Sequence, residues 1–182
     1  MDVMQAIRER RSVRKFRSES VSDDLVNVVL EAGCWAPSWA NSQCWKFVVV
    51  RDVRIRANIS ETLSPRNPAA DAVKSAPVTI VVCGELGKAG YYKGEAQTDK
   101  GDWYMFDTAL AIQNMTLAAH SLGLGTVIIG HFDASKAAGI LGVPSNVRVV
   151  ALLSLGYPAE QPVAPTRKGL SQIAFQDQYG LE

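Results

Sequence analysis

The spacing of apolar residues changes character several times along the chain, and each change marks a predicted element. Val3, Met4 and Ile7 share one side of a helical spiral, with Asp2 before them as a side-chain cap and Gln5 completing a capping-box pattern. A first helix is therefore predicted to begin at Asp2 and to turn those three apolar residues to the core. The rhythm fails over Arg10–Arg17, where Ser12, Val13 and Phe16 have no helical spacing. It returns from Ser22 to about Trp35. Ser22 is the cap, Asp23 and Asp24 suit the positive end of the helix dipole, and Val21 can staple against Val26. Leu25, Val28, Val29 and Ala32 make the apolar side. Pro37, which lacks the amide hydrogen a helix needs, forces the chain out.

Beyond this point the pattern turns to strands. Lys46–Arg51 carries Phe47, Val48, Val49 and Val50 in succession and reads as a buried strand, and Val78–Cys83 as a second. Short helices fit Arg54–Leu63 and Ala69–Ser75 between them. Glu85–Asp102 holds Gly87, Gly90, Gly94 and Gly101 and few apolar residues, so it is predicted as a long loop, either a functional lid or a mobile connection. Trp103–Leu122 is the longest helical stretch. Its polar residues Asp107, Asn114 and Ser121 lie on one line and apolar residues fill most other faces, the pattern of a central helix buried nearly all round. Gly123 and Gly125 end it, Thr126–Ile129 is a short strand, Asp133 caps a helix to about Leu141, and Val147–Leu155 is the last core strand. In the tail, from about residue 157, Pro158, Pro162 and Pro165 enforce an extended path, while Leu170, Ile173, Phe175 and Tyr179 need cover. Either the tail wraps its own domain or it reaches onto a partner subunit. No repeat or second domain interrupts the series, so residues 1–182 read as one domain.

Composition narrows the function. A chain of 182 residues can bury about two-thirds of its unfolded surface, and 47% hydrophobic with 20% charged residues excludes a disordered chain. The net charge of +1 gives no overall field for nucleic acid or an anionic membrane, so any pull on anions must be local. It is: of 19 basic residues, Arg8, Arg10, Arg11, Arg14, Lys15 and Arg17 crowd the first seventeen positions. No signal-peptide pattern opens the chain, and no run nears the roughly 18 apolar residues of a membrane span. Cys34, Cys44 and Cys83 form no CxxC pair and read as small buried hydrophobes in a reducing compartment. A cytoplasmic protein is expected.

Three segments carry candidate chemistry. Arg10, Arg11, Ser12 and Arg14 set guanidinium forks and a hydroxyl at a helix-to-loop junction, the equipment for gripping phosphate, although by residue type alone a solvated basic turn is the weightier reading. In Ala36-Pro-Ser-Trp-Ala-Asn-Ser-Gln-Cys-Trp-Lys-Phe47, Asn41 and Gln43 each offer a donor and an acceptor, enough to read a heterocycle edge or simply to cap the loop's own backbone. Gly123-Leu-Gly-Thr126 is not a dinucleotide fingerprint, because it follows a helix and precedes a strand, the reverse of the Rossmann order. Arg167-Lys168 is a second small basic site. His120 and His131 are the only histidines and no cluster of acidic or thiol ligands accompanies them, so no metal site is expected, and no GxSxG elbow supports a hydrolase.

In combination these segments resemble the opening of the FMN-dependent nitroreductase family: Arg10-Arg-Ser-Val-Arg-Lys-Phe16, then Ala36-Pro-Ser-Trp-Ala-Asn-Ser-Gln43 with Trp45 and Phe47. Asp107 with Gln113-Asn-Met115, Ala118-Ala119 and Gly123-Leu-Gly-Thr126 is similar to that family's central helix and following strand, and Arg167-Lys168 to its terminal phosphate-binding pair. The resemblance implies an α+β fold with a mixed, largely antiparallel sheet flanked by helices, and a homodimer with exchanged tails. It implies one tightly bound FMN per subunit at the interface. Arg10, Ser12, Arg167 and Lys168 would hold the phosphate and ribityl region and Arg11 would contribute through its backbone. Arg14, the one catalytic candidate, would tune the flavin from its pyrimidine edge. Pro37, Ser38 and Asn41 would approach from the partner, in a loop that also carries Trp39 and Gln43, while Ile129 and Gly130 would offer backbone to the ring. Asn67 is a further candidate for reaching the ring.

The activity implied is ping-pong transfer of two electrons from NAD(P)H to a nitroaromatic, quinone or related small acceptor, with Trp39, Trp103 and Tyr104 as candidate pocket walls. Two departures stand out. Cys44 replaces a common Pro, which is expected to loosen the loop before the strand, and Gly130-His131 replaces the Glu-Gly of some branches. The chain's shortness suggests a compact branch with a reduced lid. The rival readings are a flavin-binding protein without nicotinamide turnover, a dehalogenase or flavin-fragmenting enzyme on the same fold, and a basic nucleic-acid module.

Overall fold

The computed structural model describes residues 1–180. Helices α1 (Val3–Glu9), α2 (Asp23–Cys34), α3 (Val53–Ser60), α4 (Ala70–Ser75), α5 (Tyr104–Ser121) and α6 (Ala134–Leu141) surround strands β1 (Trp45–Val50), β2 (Val78–Glu85), β5 (Gly125–Ile129) and β6 (Val147–Gly156). These strands form one sheet in the order β1-β2-β6-β5, every neighbouring pair antiparallel. The fold is α+β. The expected mixed character of the sheet reduces, among the described residues, to one isolated parallel bridge between Ser12 and Thr126.

The sheet separates two cores. On one face Val78, Ile80, Val82, Leu153 and Leu155 pack against α2 and α5 through Val26, Val29, Ile112, Met115 and Ala119. On the other, Val81, Cys83, Val127, Ile129 and Leu152 pack against Ile59, Ala72 and Val73 of α3 and α4, with Ala134, Ala138 and Leu141 of α6 beside them. The two central strands are thus buried on both faces, which is why β2 and β6 read as near-continuous apolar runs, while the edge strands leave Val49 and Ile128 exposed.

Local signals set the helix ends. Asp2, Ser22, Asp52 and Asp133 each cap a helix with a side-chain oxygen. The capping box on α1 is only half formed, because Gln5 turns its amide to Glu9 instead of back to Asp2. Gly123 adopts φ +77° and lets Leu124 N–H reach back to Ala119 O at 2.9 Å, a Schellman ending to α5.

Several expectations about faces are corrected. Val3, Met4 and Ile7 of α1 lie exposed and only Ala6 is buried; α2 buries Val26, Val29 and Gly33 and leaves Val28 outside; α5 exposes Met105 and Phe106 and is not covered all round. Periodicity identified the apolar stripes, but not what covers them. Glu85–Asp102 is also more than a loop: β3 (Tyr91–Tyr92) and β4 (Glu95–Ala96) make a small hairpin, turned by Lys93 and Gly94 at φ +49° and +84°.

Candidate functional site

The Arg10–Arg17 segment is held as a strap along the start of β5. Val13 N–H donates to Thr126 O and Arg17 N–H to Tyr157 O, each at 2.9 Å. Gly125 and Gly156, which face each other across β5 and β6, make room for it. A Cβ on Gly125 would meet the Val13 side chain at 2.9 Å, and one on Gly156 would meet Pro77 at 2.6 Å and Phe16 at 3.1 Å. Gly125 therefore serves close approach, and the turn assigned to it belongs to Gly123 alone. The strap's outer side is fixed by a residue that sequence reasoning missed. Glu160 Oε1 accepts from Arg14 N–H at 2.6 Å and Lys15 N–H at 3.1 Å, with Ala159 N–H donating to Lys15 O at 2.9 Å.

Arg10, Arg11, Ser12, Arg14 and Arg167 line one hollow of about 290 Å³ with Pro162, Val163 and Pro165. Arg10, Arg11 and Arg167 also share an adjoining hollow of about 300 Å³. Lys168 lies outside both. Burial, then the like charges of Arg11 and Arg167, hold the Arg10 guanidinium below its ordinary value. Among the described residues none of these arginines meets a carboxylate in an ion pair. Arg11 is partly committed elsewhere: its guanidinium donates to Arg8 O and Arg10 O, at 2.6 and 2.8 Å, and so caps the end of α1. Although Glu9 and Glu160 border the adjoining cavity, guanidinium groups gathered without an ion-paired carboxylate fit a phosphate. A further cavity of about 470 Å³ behind Arg10 and Arg11 is lined by Leu124, Pro158, Pro162 and His120. Burial lowers the affinity of the His120 imidazole for its proton, Glu9 opposing and Arg10 and Arg11 reinforcing, and its Nε2 has no partner.

The second group forms around α5's opposite end. Ser38 Oγ accepts from Gln43 N–H at 3.0 Å, and Gln43 Nε2 donates to Asn41 Oδ1 at 3.1 Å. That pairing leaves Asn41 Nδ2 to donate and Gln43 Oε1 to accept outward. Pro37 is exposed, and the half-buried Trp39 ring packs 5.2 Å from Trp103, itself 5.3 Å from Phe106. The loop is strained: Ala40, Asn41 and Gln43 have φ of 43°, 56° and 47°. Such residues cost about 1–3 kcal/mol each. The anchor is buried Asp107, in the first turn of α5, which accepts from Trp39 N–H at 3.2 and 3.0 Å and from Ser42 Oγ at 3.2 Å. Hydrogen bonds to a charged acceptor contribute about 1.5–3 kcal/mol each, so they can offset strain of this size. Cys44 does not hang loose in the place of a proline. It is buried with its thiol 3.7 Å from Asp107, and burial first, then Asp107, pushes that thiol up to about 12.

Ile129, buried, and Gly130, exposed with open space where a Cβ would stand, lie at the far end of β5, about 14 Å along the strand from Gly125. Asn67 is tied nearby, donating to His131 O at 3.1 Å and accepting from Ala69 N–H at 3.0 Å, a structural use of its amide. One chain does not unite the groups. Asp107 and His120, which mark the loop and the arginine cluster, are thirteen residues apart on one helix, about 20 Å.

The sequence profile of the Nitroreductase family matches residues 7–157, most of the chain. The chain belongs to the nitroreductase family. Its relatives include a Methanothermobacter thermautotrophicus protein, provisionally named NADH dehydrogenase/NAD(P)H nitroreductase, that is 36% identical over 166 residues, covering 89% of this chain and 80% of its own. The FMN reductase [NAD(P)H] of Bacillus subtilis is 28% identical, covering 98% of this chain and 75% of its own length. Among solved structures, a nitroreductase family protein of Clostridium novyi NT superposes with a TM-score of 0.79 at 30% identity, over 100% of this chain and 96% of that one. The nitroreductase fold of this chain thus rests on sequence and shape together.

Proposed function

We propose that this nitroreductase family member binds one FMN per subunit in a site completed by a second copy of the chain, and uses NAD(P)H to reduce small electrophilic acceptors such as nitroaromatics or quinones. Family membership and the flavin-reducing relatives support the general activity, NAD(P)H-dependent flavin oxidoreduction. When bound, the flavin supplies the relay of two electrons from nicotinamide to acceptor. The residues of this chain supply position and field. Arg10, Ser12 and Arg167 hold the phosphate end, Lys168 adding charge and Arg11 backbone. Arg14 favours negative charge at the pyrimidine edge. Pro37, Ser38, Trp39, Asn41 and Gln43 come from the partner's copy of the loop, and Ile129 and Gly130 provide the backbone beside the ring.

The observation that carries this reading is the unanswered arginine cluster set about 20 Å from the amide-bearing loop. That separation within one chain supports a site completed by a second copy. Exposed Val3, Met4 and Ile7 on α1, Met105 and Phe106 on α5, and Leu170, Ile173 and Tyr179 of the tail give such a dimer its apolar surface. The test is the visible spectrum of the purified protein, recorded anaerobically before and after NADH or NADPH. Flavin peaks that bleach with nicotinamide and return with a quinone support the reading. Flavin that never bleaches would mean a carrier without turnover, and absent flavin with salt-sensitive nucleic-acid binding would overturn the reading altogether.

A further inference from the structure

The site assigns roles to both the arginines and the loop, but leaves Asp107 outside the chemistry. Its side chain is buried, and no basic side chain pairs with it among the described residues. What faces it is a set of donors from a single loop: Trp39 N–H on both oxygens, with Ser42 Oγ and the Cys44 thiol on Oδ2. The N-terminal dipole of α5 adds to their field, because Asp107 stands in that helix's first turn. The donors bracket the three left-handed residues. Trp39 precedes Ala40 and Asn41, Ser42 sits between Asn41 and Gln43, and Cys44 follows Gln43. Residues with a Cβ seldom hold the left-handed region without support, Ala40 and Gln43 less readily than Asn41.

We propose that Asp107 is a positioning residue for the cofactor: it clamps the Pro37–Gln43 loop in the strained form that presents Asn41 Nδ2 and Gln43 Oε1 as a donor and acceptor pair. The inference rests on the reading of that loop as part of an FMN site. Asp107 itself touches no cofactor. Its effect passes through the backbone of Trp39 and the hydroxyl of Ser42, with the Cys44 thiol as a further donor on the same oxygen.

The experiment compares wild type, Asp107→Asn and Ser42→Ala as full-length protein stripped of flavin and titrated with FMN and, separately, with inorganic phosphate. Asp107→Asn keeps the shape but swaps one acceptor oxygen for a donor. FMN affinity is expected to fall at least tenfold in Asp107→Asn and severalfold in Ser42→Ala, with phosphate affinity unchanged because the arginine cluster is untouched. The visible circular dichroism of bound flavin, which reports the surroundings of the ring, should change in both variants. Equal FMN affinity and an unaltered flavin spectrum in Asp107→Asn overturn the proposal, as does an equal loss of phosphate binding, which marks a general loosening. Should Asp107→Asn fail to fold, Ser42→Ala decides alone. Wild-type protein that binds no FMN refutes the function reading, an outcome distinct from wild type and variant binding it equally.

Discussion

Single side chains in this protein are worked by neighbours that sequence spacing does not reveal. Arg14 is placed by its own amide, held on Glu160, and lines the hollow it shares with Arg10 and Arg167. Replacing Arg14 with alanine is expected to lower the reduction potential of the bound flavin and slow its reduction by NAD(P)H, leaving the folded state intact. Equilibrium redox titration checks this, and an unchanged potential removes Arg14 from the role. His120 gives a pH signature. Its folded-state affinity for protons is reduced chiefly by burial, so below its unfolded value, about 6.5, the unfolded chain takes up the proton first. The stability it permits is therefore complete above that value and is lost as pH falls towards the lower folded one. Denaturation of wild type and His120→Gln between pH 7.5 and pH 5 is expected to show a shallower fall in the variant, and identical slopes would refute it.

Elements were legible where one local signal suffices. The caps at Asp2, Ser22 and Asp133, the runs that became β2 and β6, and the glycine ending α5 all follow from residues within a few positions of each other. Less could be read where the partner is distant. The hold of Glu160 on Arg14 and of Asp107 on Trp39 spans 146 and 68 residues, separations at which no spacing rule operates. The outward faces of α1 and α5 were misread for a related reason, since periodicity assigns an apolar side without saying what, if anything, covers it. The β3–β4 hairpin was concealed by its brevity. The segment just beyond it is held by Trp103, whose indole N–H donates to Thr98 Oγ1 at 2.8 Å while its ring meets Trp39, so the hairpin's exit and the Pro37–Gln43 loop share one aromatic joint. Trp103→Phe keeps the ring contact and removes the hydrogen bond. Amide exchange across Tyr91–Ala96 is expected to quicken in that variant with β2 unaffected, and unchanged exchange would show that the hydrogen bond does not moor the hairpin.

At the scale of the molecule, no helix of the described residues is long and apolar enough to cross a membrane, yet helices α1, α2 and α5 and the tail all leave large apolar side chains exposed. The proposed assembly of two chains would cover that exposure and would bring the arginine cluster of one copy to the amide loop of the other. Complementation tests both together. One chain carries Arg10→Ala with Arg167→Ala, the other carries Ser38→Trp to obstruct the loop, and each homodimer alone is expected to lose its flavin. A heterodimer of the two contains one site with both halves intact and one with both halves damaged. Flavin absorbance of the purified heterodimer should therefore recover to one FMN per two chains, half the wild-type content, and no recovery from an assembled heterodimer would contradict a site shared between subunits.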